Sequence, residues 1–294
     1  MNPIIMHINY CELTYYVLGK TVDDVCRKAT EWGYDGVEFR GSVPTDFTCT
    51  QDEYLAQIKA AKAKYNMSHV LYGYNVTGVS SPDAEVRTKA ISDAITFFNK
   101  AREATDTTIC NVFADEHRNA DGGAPATDYN FHGSHVATDD QWKYAAEGFA
   151  KIGEAVGNIG MRLAFETHMN YIHDVPKQAK RLTDMISSPA VGVNMDYGNT
   201  IYFHNVPSPA DTVKLYGDKL FYMHLKNSVG MGGERHPVAL WDGEINHRTY
   251  MQAVLASGFK GPIGIEAPRG GDREWFARQD LDYFKALAGE IGMA

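Results

Sequence analysis

The chain has 294 residues, 44% apolar and 22% charged, a balance that lets a sizeable core be buried, demands no disordered tail and leaves no need for metal or disulfide staples in folding. With 37 acidic against 28 basic residues the formal charge is −9, which repels phosphate backbones and anionic lipids and argues against nucleic acid and membrane surfaces as partners. Cys11, Cys26, Cys49 and Cys110 show no CxxC or zinc-finger spacing, Met1–His7 has no signal-peptide pattern, and no 18 apolar residues run together, so a cytoplasmic protein with free thiols is expected.

From the N-terminus onward, short runs rich in Val, Ile, Leu and aromatic residues recur, and each precedes a longer segment with apolar residues at helical spacing. The predicted strands are 4–9, 36–40, 67–73, 108–114, 161–167, 190–196, 219–226 and 262–267, with seven helices between them and a terminal one over about 273–290. Gly33, Gly160, Gly258 and Gly261 fall where a helix must stop and turn into the next strand. Pro82, Pro176 and Pro209 fall at first turns of helices, where a missing N–H costs nothing. Eight βα units with no dividing linker predict an α/β fold, one closed (β/α)8 TIM barrel over residues 1–294 as a single domain. Two long loops, 114–138 and 227–245, follow strands and are candidate lids on the face where barrels build their sites.

Four consecutive predicted strands end in a metal-capable side chain: Glu166, Asp196, His224 and Glu266. Any one of these could merely satisfy loop backbone, but parallel barrel strands bring their C-terminal ends around one mouth. Three carboxylates brought together there would repel and partly protonate, whereas one divalent cation with one imidazole turns them into a coordination sphere. Oxygen-rich donors without thiolates suit Mn²⁺ first, then Mg²⁺ or Co²⁺, with Zn²⁺ less favoured. Such an ion can polarise a carbonyl and favour proton removal from the neighbouring carbon, which points to a small sugar-like substrate.

The stretches Phe165-Glu166-Thr167-His168, Asn194-Met195-Asp196-Tyr197-Gly198-Asn199, Met223-His224-Leu225-Lys226-Asn227 and Ile265-Glu266-Ala267-Pro268 resemble, in order and spacing, the metal-binding strand ends of the xylose-isomerase-like sugar isomerase/epimerase superfamily. Asp242-Gly243-Glu244-Ile245 is similar to that family's turn before its seventh helix. The resemblance implies metal-ligand roles for all four residues and an acid/base pair in Glu166 and Glu266, acting on a sugar or keto-polyol. Its ketose 3-epimerase branch has a histidine near the place of Asn199 and another polar residue at Lys226, so the substrate is not fixed by the likeness. A lyase, dehydrating a keto-inositol or eliminating from a 3-keto-sugar, is the alternative. Superfamily members are often dimers or tetramers, so a homo-oligomer is compatible with the resemblance although no interface is marked.

His168 and Lys226 lie two residues beyond Glu166 and His224, on the same face of each strand, and are candidates for substrate binding. Arg235, His236 and Trp241, in the second long loop, are further candidates. Tyr10 and Tyr72 could wall a sugar pocket, Arg269 is read as a solvated turn, and Glu38 as a structural partner of Arg40 or a loop amide. His117, His132 and His135 are read as solvated loop residues. Apurinic endonucleases share this barrel, and His69, Glu166, Asp196, His224, Glu234, His236 and Glu266 partly echo their ligands; a trinuclear zinc site would need a histidine at Asn199, and the acidic charge opposes DNA.

Overall fold

The structure is a computed structural model that describes residues 2–7, 21–45, 47–119, 124–232, 234–266 and 269–293. Eight strands, β1 (Ile4–His7), β2 (Gly36–Arg40), β3 (His69–Asn75), β4 (Ile109–Phe113), β5 (Arg162–Glu166), β6 (Val191–Asp196), β7 (Leu220–Leu225) and β10 (Ile263–Ile265), form the barrel. Each pairs in parallel with its sequence neighbour, and β1 closes on β10, so the chain is a (β/α)8 barrel. Residues 8, 9 and 267 of the predicted first and last strands, and Tyr10, lie outside the described residues.

Helices α1 (Val22–Trp32), α2 (Gln51–Lys64), α3 (Ala84–Thr105), α4 (Asp139–Asn158), α5 (Pro176–Ile186), the short α6 (Tyr197–Thr200), α7 (Pro209–Tyr216), α8 (His247–Ala256) and α9 (Arg273–Glu290) surround the barrel. Thr21, Thr50 and Thr138 each cap a helix reciprocally with Asp24, Glu53 and Gln141, satisfying N–H groups that the helix start leaves unpaired. Gly33 closes α1 in the left-handed region at φ 88°, where a side chain would be strained. Pro176 and Pro209 stand at first turns as expected, while Pro82 lies one residue before Asp83, the cap of α3.

Strand alternation divides the core into two layers. Residues such as Met6, Val37, Phe39, Val112, Phe165 and Met223 face the helices, and Ile5, Leu71, Ile109, Ala164, Phe221 and Tyr222 form a smaller apolar cluster of their own. That plug supports the polar ends of the strands from below.

The second long loop is not structureless. Residues Asn227–Met231 (β8) and Glu234–Val238 (β9) form an antiparallel hairpin, missed because Gly230, Gly232 and Pro237 read as loop punctuation. Pro237 is tolerated there because a two-stranded ribbon leaves each strand an unpaired edge. In the first long loop, Tyr129–Phe131 and Gly133–His135 form single 3₁₀ turns. Among the described residues no helix is long and apolar enough to cross a membrane.

Candidate active site

Inward positions at the C-terminal ends of the strands carry the polar residues. His7 ends β1, Glu166 ends β5, Asp196 ends β6, and Glu266 follows β10, while Glu38, Asn111 and His224 lie one or two residues inside their strands. Glu166, Asp196, His224 and Glu266 are buried, and each offers a donor atom within 4.8 Å of the others. His224 Nδ1 lies 3.3 Å from Glu166 Oε2, 3.7 Å from Asp196 Oδ2 and 3.3 Å from Glu266 Oε2.

The imidazole is aimed from behind. Glu38 Oε2 takes hydrogen bonds from His224 Nε2 at 2.9 Å and from the Tyr222 hydroxyl at 2.7 Å, and Asn111 Nδ2 donates to Glu38 Oε1 at 3.1 Å. With Nε2–H on Glu38, Nδ1 faces the three carboxylates; without a cation the ring is held protonated towards them, and a bound ion would take the Nδ1 lone pair instead, the arrangement by which a carboxylate orients a metal-binding histidine. Glu38 therefore partners His224 and Tyr222, not Arg40 or a loop amide. Gly264 makes room for the stack, since a Cβ there would lie 2.4 Å from the Tyr222 hydroxyl and 2.8 Å from His224 Cδ2.

Glu166 is gripped at both oxygens, by Asn111 Nδ2 at 2.6 Å and Asn199 Nδ2 at 3.0 Å. Asn199 is fixed in turn, its Nδ2 also donating to Thr167 O at 3.0 Å and its backbone N–H to Asp196 Oδ1 at 3.0 Å. Lys226 Nζ lies 2.8 Å from Asp196 Oδ2 and 3.1 Å from Glu266 Oε2. Burial alone would raise the carboxyls, but the charge of His224 holds Glu166 down at about 2 and His7 and Lys226 hold Glu266 well below the usual range. Burial opposes charge on His224 and on Lys226 as well, yet Glu38 and Glu166 raise the first and Asp196 and Glu266 the second.

These residues fit a divalent cation. Four buried carboxylates, Glu38, Glu166, Asp196 and Glu266, face one lysine and two histidines, His7 and His224, so the group stays net negative even with both imidazoles charged. A buried excess of negative charge calls for a positive ion, and oxygen with one nitrogen suits a hard or borderline metal.

Two cavities open on the group. One of about 210 Å³ is lined by His7, Glu38, Asn111, Glu166, His168 and Glu266 among others, and one of about 260 Å³ by His168, Asn199, Tyr202, Lys226 and Glu266 among others. His168, whose Nδ1 lies 3.0 Å from Met169 O, faces both.

The other candidates from the second long loop do not line these two cavities. Arg235 pairs with Glu244 at 2.9 Å and stacks over Tyr202 at 5.6 Å, His236 Nε2 lies 3.3 Å from Met231 O, and Trp241 packs on Tyr283, 46% exposed. Tyr72 is buried in the helix-facing layer with its hydroxyl on Thr105. Arg269, read as a solvated turn, is instead held against the buried Asp280 at 2.8 Å. His117 and His132 are buried, not solvated, because His117 N–H and O pair with Asn170 and Gly133 and His132 Nδ1 accepts from Asn119 N. His69 begins β3, paired with Gly36 at the far end of the barrel, so it cannot join a trinuclear group. His7, Asn111, Asn199 and Tyr222 went unread as site residues; for His7, Asn111 and Tyr222 the signal available was their place on the inward register of their strands, and for Asn199 its place three residues after Asp196 in α6.

Comparison with known proteins follows the same lines. Residues 26–287 match the family described as xylose isomerase-like TIM barrel. An inosose dehydratase of Clostridium perfringens is 27% identical over 97 residues, 33% of this chain and 32% of that protein, so the match spans about a third of the relative. A fructoselysine 3-epimerase of Escherichia coli is 25% identical over 279 residues, 92% of this chain and 94% of that protein. A solved L-ribulose 3-epimerase superposes with a TM-score of 0.77 at 15% identity, covering 100% of this chain and 96% of that one, a likeness of fold.

Proposed function

We propose, for a chain that belongs to the xylose isomerase-like TIM barrel family, a divalent-metal-dependent isomerase or epimerase of a small sugar or keto-polyol. The observation that carries this reading is the buried group of Glu166, Asp196, His224 and Glu266, of which Glu166 lines one and Glu266 both of two cavities of sugar size. The likeness to a fructoselysine 3-epimerase along nearly the whole chain supports it. These four residues would hold the ion, with Mn²⁺ the first choice, and a bound ion supplies Lewis-acid polarisation of a carbonyl oxygen.

The remaining work belongs to the chain's own groups. Glu166 and Glu266 act as the proton-transfer pair: both are ionised at rest, so one removes the proton from the carbon beside the carbonyl, and the other delivers to the opposite face a proton that it has first taken up from solvent. Asn111 and Asn199 fix the orientation of Glu166, so little reorganisation accompanies the transfer. Lys226, 3.1 Å from Glu266, keeps that carboxyl ionised and places a positive charge where negative charge grows on substrate oxygen. His168 faces both cavities and is placed to hold a substrate hydroxyl. A small-molecule partner follows from this reading, and the acidic surface charge disfavours nucleic acid.

Lys226 also favours a second reading, a lyase in which its ammonium protonates a departing hydroxyl or alkoxide; the match to an inosose dehydratase points the same way. Proton NMR in D₂O with a panel of ketoses and 3-keto-sugars separates the two. Deuterium beside the carbonyl in a product of unchanged composition, lost in Glu266→Gln, supports the isomerase or epimerase. An elimination product supports the lyase, and absence of exchange with every substrate overturns both.

A further inference from the structure

Beyond the two inner cavities lies a larger groove of about 910 Å³ between the first long loop, the segment after α6 and the β8–β9 hairpin. Tyr202 lines both this groove and the inner cavity that holds Lys226 and Glu266, so the two spaces share a wall. The inner cavities, about 210 and 260 Å³, are smaller than the ~300–1,000 Å³ clefts that hold drug-sized ligands, whereas the groove lies at the upper end of that range. The inner space suits one sugar ring, and the groove is room that one ring leaves unused.

The groove's walls are suited to a ring. Tyr129 packs edge-on against Tyr202 at 5.7 Å and tilted against Phe203 at 6.5 Å, and all three side chains are half-buried. Arg235 stacks over Tyr202 at 5.6 Å, its charge already engaged by Glu244, and Met231 stands 65% exposed at the hairpin tip. The walls are also braced: Asn130 Oδ1 accepts from His204 N at 3.0 Å, and Glu244 Oε1 accepts from Gly230 N at 2.8 Å. Flat aromatic faces recognise the C–H face of a pyranose through stacking and apolar burial, and the paired arginine leaves little reason for an anion to bind.

We propose that this groove is a second subsite, which receives a glycosyl ring joined to the reacting sugar, so that the substrate class is a keto sugar carrying a glycosidically linked second ring. The proposal rests on the reading of the inner cavity as the place of reaction. It concerns binding alone, and is tested without turnover.

The experiment is calorimetric titration of the full chain in MnCl₂ with D-fructose, which has one ring, and with lactulose and maltulose, which are fructose carrying a galactosyl or glucosyl ring. The disaccharides are expected to bind about tenfold or more tightly than fructose. In Tyr129→Ala/Phe203→Ala that ratio is expected to fall towards one, and Met231→Asp, at an exposed position that endangers folding less, is expected to reduce it in the same direction. Circular dichroism of each variant shows whether the fold is kept. Equal affinity for one and two rings in the wild type, a ratio unmoved by either variant, or no binding of any sugar would overturn the subsite. Disaccharide preference without deuterium exchange from any substrate would leave the subsite standing and overturn the reaction assigned to the inner cavity.

Discussion

Glu38→Gln is the substitution that separates a metal-orienting carboxylate from an ordinary core hydrogen bond. Glutamine keeps the length and volume of Glu38 but offers one acceptor oxygen in place of two and carries no charge. Three donors meet the carboxylate now: His224 Nε2 at 2.9 Å, Tyr222 at 2.7 Å and Asn111 at 3.1 Å. At least one would face an amide NH₂, and the His224 Nε2–H would lose its anionic acceptor. A hydrogen bond to a charged partner contributes about 1.5–3 kcal/mol, and about 1.4 kcal/mol is tenfold in a binding constant. The expected result is a 10- to 100-fold weaker Mn²⁺ affinity, of the order found when a metal ligand loses its supporting partner. Competition titration of Mn²⁺ against a chelating dye measures it directly, with Glu290→Gln, which breaks only an exposed pair with Arg248, as the control. A Glu38→Gln affinity within twofold of the control would refute the assignment of Glu38 as the residue that aims His224.

Three further outcomes are expected. Gly264→Ala places a methyl group against Tyr222 and His224, and should cost about 1–3 kcal/mol in urea unfolding together with weaker Mn²⁺ binding; unchanged stability would mean that the stack shifts freely. Saturating Mn²⁺ at about 100 times its Kd should stabilise the fold by about 2.7 kcal/mol, reversed by EDTA, and a melting temperature indifferent to both would remove the metal from the account. The neighbours His173 and Asp174 should titrate against each other. Burial holds the His173 imidazole down at about 3, its Nε2 accepting from Ala114 N, although the hydrogen bond from its Nδ1 to Glu166 O pulls the other way, and burial pushes the Asp174 carboxyl up to about 6. The stabilisation by neutral His173 is therefore full above the unfolded value near 6.5 and is lost as pH falls, whereas that by protonated Asp174 is full below the unfolded value near 3.8 and is lost as pH rises through 6. Between about pH 4 and 6 the two slopes oppose. Asp174→Asn keeps an acceptor for Ser134 N and should steepen the rise of stability with pH across that window by up to about 1.4 kcal/mol per unit, and identical slopes in the two proteins would sink this reasoning.

The barrel was legible because its signal is repeated. Each unit shows a β-branched run followed by helical spacing, and a slip of a residue or two at any boundary leaves the count of strands intact. Glu166, Asp196, His224 and Glu266 stood out because a charged residue closing an apolar run conflicts with its neighbours, and the structure brings those four together. Glu38 did not, because Glu38 and Arg40 in one strand look like a surface pair; only the closing of β1 and β2 beside β10 and β7 shows that Glu38 points across the barrel at Tyr222 and His224. Asn111 and Asn199 are uncharged, and an asparagine near a strand end reads as a turn residue. Arg235 was placed by the family likeness of its loop and Trp241 by its aromatic character, neither of which fixes where a loop side chain points, and the hairpin formed by β8 and β9 was hidden by its glycines and its proline.

The seam between β1 and β10 has a consequence for the order in which the molecule assembles. Most strand pairs join neighbours in sequence, and such contacts form early because the chain between them is short. The closing pair joins Ile4 to Ile263, and Asn2 reaches across the same seam to Gly261 O at 2.7 Å, over nearly the full length of the chain. Glu38 and His7 lie on one side of that seam, and His224 and Glu266 on the other. An open sheet with seven of its joints already made would thus hold the carboxylates of β5 and β6 without the partner that aims the histidine. On the proposed metal role, tight ion binding would become available only when the last joint closes, and the rate at which it appears during refolding would be a clock for that event.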